Sequence, residues 1–443
     1  MKKKVFINEK IKKFNNKIIV PGDKSISIRF ILMASMAVGK STAYNILKSE
    51  DVLNSLYALK KLSINYKIYK NNCEIYGKGL NGLDFKNNTV INAGNSGTLA
   101  RLIFGLLINS KNQIILKGDK SLEKRDFSRV IKPMLMMGQN IKSNNNKLPI
   151  KIRGTNFPRS IHYFESIGSA QVKSCILLAA MKTPGITKID AIPSRSHTEN
   201  MFKYLKLPIK IKKKKKLELI SFKGMKNYKG FNYIIPGDIS SASFFIVLTL
   251  LTENSKILIK NVNVNSSRTG IIDILKKMNG KIKIKNKRIY KGEEIADIEC
   301  EHSPKLKGIK INPSINSRTI DELPLIFCLV CAKAKGISYA KNLGELRHKE
   351  QDRLKFVIKF LKMIGIKVIE KNNNLKIYGN PNLKLNGSYI VKNFMKDHRA
   401  FMLACIAALT LGGKSWSIHD LDSINTSFPN FVSLLKNLGA KIH

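Results

Sequence analysis

Six stretches of the chain share one pattern: a small or polar cluster, then a run that is apolar nearly all round. Pro21-Gly22-Asp23-Lys24-Ser25 precedes Ile26 to Ala37, and Asn92-Ala93-Gly94-Asn95-Ser96-Gly97-Thr98 precedes Leu99 to Ile108. Ser166-Ile167-Gly168-Ser169-Ala170-Gln171 precedes Val172 to Met181, and Pro236-Gly237-Asp238-Ile239-Ser240 precedes Ala242 to Leu251. Asp321-Glu322-Leu323-Pro324 leads into Leu325 to Ala334, and Lys396-Asp397-His398-Arg399 into Ala400 to Leu411. A helix apolar on every face belongs in a core, so these runs predict six buried helices. The clusters read first as caps, because Asp, Ser and Asn accept bonds from free first-turn N–H groups.

Between these runs lie β-branched segments such as Gln113 to Lys117, Lys256 to Ile259, Ile366 to Glu370 and Leu375 to Tyr378. Leu354, Val357, Ile358 and Leu361 mark an amphipathic helix that ends at Gly365. Alternating strand and helix signals predict an α/β protein. At 443 residues the chain exceeds one typical core, so two domains are expected. The twin Pro-Gly-Asp segments divide the buried helices three and three. Domain I is expected to be discontinuous, 1–21 plus 236–443, with 22–235 as domain II.

The net charge of +49 raises the question of nucleic acid. Lys, Asn and Ile are all abundant, as A+T-rich coding produces, and the lysines are scattered rather than interleaved with aromatics. The densest run, Lys212 to Lys216, reads as a solvated hairpin edge. The expected consequence is a positive field that attracts small anions, with no specific nucleic-acid partner. No apolar run reaches the ~18 residues of a membrane span, and no apolar stretch follows Met1-Lys2-Lys3-Lys4. A cytoplasmic protein without a membrane partner is expected. Cys328 and Cys331 have C-x-x-C spacing inside an apolar run, which reads as core rather than as a metal or redox site.

Helix N-termini carry partial positive charge and free donors, so several pointing into one inter-domain cleft would make an anion site. Lys24, Ser25 and Arg29 form the densest cluster. Arg29 lies among Ile28, Phe30 and Ile31, where either a bound anion or a buried ion pair would explain it. Ser169 and Lys173 repeat the i, i+4 spacing, and Asn95, Gly97, Thr98 and Arg101 form a third cluster. Glu350 and Arg353 are in phase with the apolar stripe that follows them. Asp321 is either an N-cap or a general base. Asp397, His398 and Arg399 add an acid, a proton carrier and a guanidinium, and Arg125, Arg129, Arg195 and His197 follow turns of their own. No phosphate-loop or dinucleotide fingerprint and no nucleophile elbow stands out. The implied chemistry is acid–base transfer between small anions, with no cofactor and no metal.

These motifs resemble the 5-enolpyruvylshikimate-3-phosphate synthase family (3-phosphoshikimate 1-carboxyvinyltransferases), in its class II branch. The matching strings are PGDKSISIR at 21–29, NAGNSGT at 92–98, GDKSLEKR at 118–125, SAQVKS at 169–174 and SRSHTE at 194–199. PGDISSASF at 236–244, DELP at 321–324, ELRHKEQDR at 345–353, DHR at 397–399 and TSFPNF at 426–431 continue them in family order. The resemblance implies a two-domain enolpyruvyl transferase fold, inverse α/β barrel-like, with three βαβαββ repeats per domain closing on the substrates. It implies transfer of the carboxyvinyl group of phosphoenolpyruvate to the 5-hydroxyl of shikimate 3-phosphate, on the route to chorismate and the aromatic amino acids. The family's usual form is a monomer.

Carried over by position, the resemblance implies that Lys24, Ser25, Arg29, Ser169, Ala170, Gln171, Arg195, Asp321 and Lys349 would hold 3-phosphoshikimate. Lys24, Gly97, Arg125, Gln171, Arg353 and Arg399 would hold phosphoenolpyruvate. The catalytic set would be Asp321 as base, Glu350 at the methylene carbon, and Lys24 and Lys349. Three positions depart from the pattern. Asp126-Phe127 replaces the usual Pro-Met, Asn265-Ser266-Ser267-Arg268 has Ser where class II members usually have Thr, and Thr426 stands where many class I members carry Lys. Gly97 is retained where some herbicide-tolerant relatives carry Ala. The related UDP-N-acetylglucosamine transferases usually carry a reactive Cys in the loop corresponding to 118–125, and no Cys is present there.

Overall fold

The computed structural model describes residues 3–392, 394 and 397–443, so Met1, Lys2 and the expected cap-cluster member Lys396 lie outside the described residues. All six buried helices form: Lys24–Met36, Gly97–Leu106, Ala170–Ala180, Ile239–Leu251, Leu325–Lys333 and His398–Leu411. The strand expected at Ile366 to Glu370 starts later, as Val368–Lys371, and the amphipathic helix runs Arg353–Met363. The fold is mixed α/β.

The chain divides into two compact units, one of 1–21, 237–288 and 294–443, the other of 22–236 and 289–293. The expected continuous stretch 236–443 is therefore interrupted. Residues 289–293, at the tip between the Lys281–Tyr290 and Glu293–Glu301 strands, belong to the second unit.

Three four-stranded sheets build the second unit. In one, the Thr89–Asn92 strand, Gly97–Leu106 helix, Gln113–Lys117 strand, Ser128–Met136 helix and Asn140–Asn144/Lys147–Arg153 hairpin make one βαβαββ repeat. Its first two strands pair in parallel and the rest antiparallel. Residues 162–223 repeat this order and pairing. The third sheet takes its parallel partner, Asn232–Ile234, from the unit's far end to lie beside Val38–Tyr44. Gly105 lets two buried helices meet: a Cβ there would sit 2.1 Å from the Cys175 carbonyl oxygen. Lys212 to Lys216 run along the exposed hairpin between Ile209–Lys214 and Leu217–Lys223, as expected of a solvated edge.

The first unit has one four-stranded and two three-stranded sheets. In the four-stranded sheet Asn15–Ile18 pairs in parallel with Lys256–Ile259. Each Pro-Gly-Asp segment thus follows a strand of one unit and opens a helix of the other. Within the second unit Asp23 N–H donates to Pro236 O (2.8 Å), and within the first Asp238 N–H donates to Pro21 O (3.0 Å). Gly22 is required at its turn, since a Cβ would lie 2.1 Å from Asn45 O. Each unit has its own apolar core, and the three all-round apolar helices of that unit are buried in it.

Candidate active site

In the second unit, Asp23 caps the Lys24–Met36 helix through Oδ1, which accepts from Ile26 N–H at 3.0 Å. Lys24 follows immediately, and its Nζ lies 2.9 Å from Oδ2 of Asp51, in the first turn of the Glu50–Lys61 helix. Arg29 is 4% exposed. Its guanidinium donates to Thr198 Oγ1 (2.8 Å), Ser174 Oγ (2.9 Å) and Ser25 O (3.0 Å). All three acceptors are neutral, so the structure does not show the buried ion pair that was the alternative. Burial pushes the Arg29 pKa down to about 10, and nearby Arg195 adds to that push against Glu199 and Asp23. The group remains cationic at neutral pH. Carboxylates, those of Glu199, Asp23 and Glu293, act on it only from beyond hydrogen-bond reach, so a bound anion would be its first directly bonded charge partner.

The turn before the Ala170–Ala180 helix is organised by Glu165, which is 2% exposed. Its carboxylate accepts backbone N–H bonds from Ile167 (3.2 Å), Gly168 (2.7 Å) and Ser169 (2.9 Å). Ser169 Oγ caps the helix through Val172 N–H, and Ala170 supplies its first turn. Gln171 Nε2 donates to Thr98 Oγ1 at 3.1 Å, joining this helix start to that of Gly97–Leu106. Lys173 corrects an expectation. It is fully buried and pairs with Glu199 (2.7 Å) and Glu218 (3.1 Å), so it serves the core rather than extending Ser169 toward a ligand.

Gly97 opens its helix against two guanidiniums: an added Cβ would lie 2.8 Å from Arg101 Nη1 and 3.1 Å from Arg125 Nη1. Arg101 Nη1 in turn donates to Gly97 O. Asp119 fixes the turn before Arg125, accepting from the Ser121 and Leu122 amides, and takes a 2.7 Å bond from Asn95 Nδ2. The Asp126-Phe127 departure is absorbed by packing. Phe127 is buried, stacks on Phe104 with centroids 6.4 Å apart and lies under the Arg101 guanidinium at 4.8 Å. Asp126 accepts from the Ser128 N–H and hydroxyl, both at 2.7 Å, and Arg129 is exposed.

In the first unit, Asp321 is not an N-cap. It sits in a turn after the Asn316–Thr319 helix, and the next helix begins at Leu325 without a side-chain cap bond. Its Oδ2 lies 3.9 Å from Arg399 Nη2. Burial lowers the Lys349 pKa against the opposing pull of Asp321. Glu350 precedes the Arg353–Met363 helix rather than lying on it, because Asp352 is the cap. Glu350 Oε2 is 2.7 Å from Arg353 Nη2. Arg353 is 1% exposed and also pairs with Asp397, while its Nη1 has no hydrogen-bond partner among the described residues. His398 Nδ1 and Thr426 Oγ1 are 3.2 Å apart, so Thr426 is engaged with the His398–Leu411 helix start.

Sequence reasoning missed several supports. Asp51, Glu165, Ser174 and Thr198 sit in no cap cluster that marked them for these roles. Serines of the second Pro-Gly-Asp segment do more than cap. Ser240 Oγ donates to the buried carboxylate of Glu322, and Arg268 Nη2 donates to Ser240 Oγ (2.8 Å) and Asp238 Oδ1 (3.1 Å). Burial, and then Asp321, raise the Glu322 pKa. The six cysteines are buried thiols, and no metal-holding cluster of His, Cys, Asp or Glu occurs among the described residues. No described helix is long and apolar enough to cross a membrane.

The arrangement defines a class: an α/β protein with two clusters of held guanidinium and ammonium groups, suited to small multiply charged anions, and with acid–base groups in one of them. The family model described as EPSP synthase (3-phosphoshikimate 1-carboxyvinyltransferase) matches residues 8–435. A 3-phosphoshikimate 1-carboxyvinyltransferase of Ruthia magnifica subsp. Calyptogena magnifica is 41% identical over 425 residues, covering 96% of this chain and 95% of the relative. One of Bacillus cytotoxicus is 37% identical over 430 residues, covering 96% and 98%. A solved EPSP synthase of Acinetobacter baumannii superposes with a TM-score of 0.87 at 34% identity, covering 100% of this chain and 99% of that one. The chain belongs to the EPSP synthase family.

Proposed function

We propose that this protein transfers the carboxyvinyl group of phosphoenolpyruvate to the 5-hydroxyl of shikimate 3-phosphate, releasing inorganic phosphate, in aromatic amino acid biosynthesis. Family membership supports the reaction, and the observation that carries the residue-level reading is Arg29, a buried guanidinium whose hydrogen bonds all end on neutral oxygens. In this reading Arg29, Lys24, Ser25, Arg195, Ser169, the Ala170 backbone and Gln171 bind 3-phosphoshikimate. Arg125, Arg353 and Arg399, with Gly97, Gln171 and Lys24, receive phosphoenolpyruvate. Bidentate guanidinium pairing suits its carboxylate, and the cations offset the repulsion between two anions brought together.

Asp321 accepts the proton of the 5-hydroxyl as that oxygen attacks C2 of phosphoenolpyruvate, and Glu350 delivers a proton to C3. The adduct is tetrahedral. Loss of phosphate then returns one C3 proton to Glu350 and leaves the new vinyl ether. Lys349 lies within electrostatic reach of Asp321 and contacts the shikimate ring. Preorganised cations act most strongly on the charge that builds on the leaving phosphate. The protein works as a cytoplasmic monomer, the form the family resemblance implies.

The test is phosphate release by the purified protein with both substrates, against each alone. Release that requires both is expected. No release above background from protein shown to be folded overturns the assignment.

A further inference from the structure

Glu293 takes no part in the reaction described above, and no sequence motif marks it. It opens the Glu293–Glu301 strand and belongs to the second unit with residues 289–292. Its Oε1 lies 2.8 Å from Nδ1 of His197, and the two side chains are 1% and 0% exposed. His197 is the first residue of the His197–Tyr204 helix, between Arg195 of the proposed phosphate site and Thr198, which holds Arg29 of that site. Arg195 lies two residues before it. Thr198 follows it, takes the Arg29 Nε bond at 2.8 Å and lies 2.7 Å from Ser174 Oγ, the acceptor for Arg29 Nη2. Glu199, next along, is held by Lys173. The run 195–199 is thus pinned at two points, by Glu293 and by Lys173.

The turn that delivers Glu293 is itself seated on this helix. Lys291 Nζ donates to Asn232 O (2.7 Å) and Tyr204 OH (3.2 Å). Gly292 has φ +84°, and a Cβ there would lie 2.6 Å from Asn200 O, so only glycine fits.

We infer that Glu293 is a positioning residue for 3-phosphoshikimate: its bond to His197 sets the Arg195–Thr198 run against Arg29, so that their donors converge on one phosphate. This rests on the function proposed above. A displaced Arg195 or Thr198 loosens the 3-phosphoshikimate contacts and leaves those proposed for phosphoenolpyruvate on Arg353 and Arg399 in place.

The experiment compares wild type, Glu293→Ala and Glu293→Gln in the full chain, reading KM for each substrate by phosphate release and 3-phosphoshikimate affinity by calorimetry. Glu293→Ala is expected to weaken 3-phosphoshikimate on the order of tenfold or more in both readouts, with KM for phosphoenolpyruvate changed by less than about twofold. Glu293→Gln keeps an acceptor for His197 and is expected to restore most of the loss. If Glu293→Ala does not fold, Glu293→Asp, shorter by one methylene, is read for the same selective loss. Unchanged 3-phosphoshikimate affinity, or equal loss for both substrates, overturns the positioning role while an active wild type upholds the enzyme assignment. A folded wild type that neither turns over nor binds 3-phosphoshikimate overturns both.

Discussion

Arg353 and Asp397 meet at two points, Nε to Oδ2 at 2.9 Å and Nη2 to Oδ1 at 3.3 Å, both side chains essentially without solvent. The same carboxylate accepts the Arg399 amide at 3.0 Å and caps the His398–Leu411 helix. One acid therefore orients the guanidinium of Arg353 and begins the helix that carries Arg399. It leaves Nη1 of Arg353 buried and without a hydrogen-bond partner among the described residues, and the ion pair raises the Arg353 pKa against the cost of burial.

Replacing that acid by Asp397→Asn tests the arrangement. Asn caps a helix about as well as Asp, so the helix start survives and the change reports on the ion pair. The expected outcome is a rise of ~10-fold or more in KM for phosphoenolpyruvate, with KM for 3-phosphoshikimate nearly unchanged. Urea unfolding should show a loss of ~3 kcal/mol, the cost of leaving a buried charge short of its partner. An unchanged KM for phosphoenolpyruvate removes Arg353 from that half of the site.

Asp321 is the proposed base, and its place in a turn rather than at a helix cap makes the variant interpretable. Asp321→Ala should lose ~100-fold or more in kcat. It should still bind 3-phosphoshikimate by calorimetry, and its melting temperature should shift little because no helix loses a cap. Undiminished kcat assigns the proton transfer to another group.

Lys349 gives a pH prediction. Burial lowers its pKa, so the folded chain releases this proton at lower pH than the unfolded chain does. Across the window between the lowered value and the ordinary lysine range, the unfolded state binds more protons, and stability contributed by this group rises with pH. Activity runs the other way if the ammonium contacts substrate. The alkaline limb of kcat/KM should fall below the ordinary lysine range, and Lys349→Arg, which stays charged, should move that limb to higher pH. A limb that stays put in Lys349→Arg belongs to a different group.

Much of the fold was legible because its signals are local. All-round apolar runs bounded by Asp, Ser or Asn identify a buried helix and its start within a dozen or so residues, and the Gly365 turn ends the Arg353–Met363 helix as its pattern predicts. Motif clusters carried Lys24, Ser25, Arg29, Asp321 and Arg353 into view in the same way. The readings that changed were those in which two roles share a residue type at one spacing. Lys173 has the i, i+4 spacing of a ligand pair yet is neutralised by Glu199 and Glu218. Asp321 has the place of a cap and does not cap, because the helix starts only at Leu325.

The sequence by itself determined the α/β class, the six core helices, the caps of five of them and the family motifs, since each depends on periodicity or composition over a short stretch. Only the tertiary structure decided which partner each charge has. Arg29 meets Thr198 across 169 residues and Ser174 across 145, and Arg353 meets Asp397 across 44. No local pattern encodes those pairings. They arise when elements far apart in sequence pack together, and in a low-dielectric core each buried cation is then oriented by the groups that packing brings beside it, neutral oxygens for Arg29 and carboxylates for Arg353.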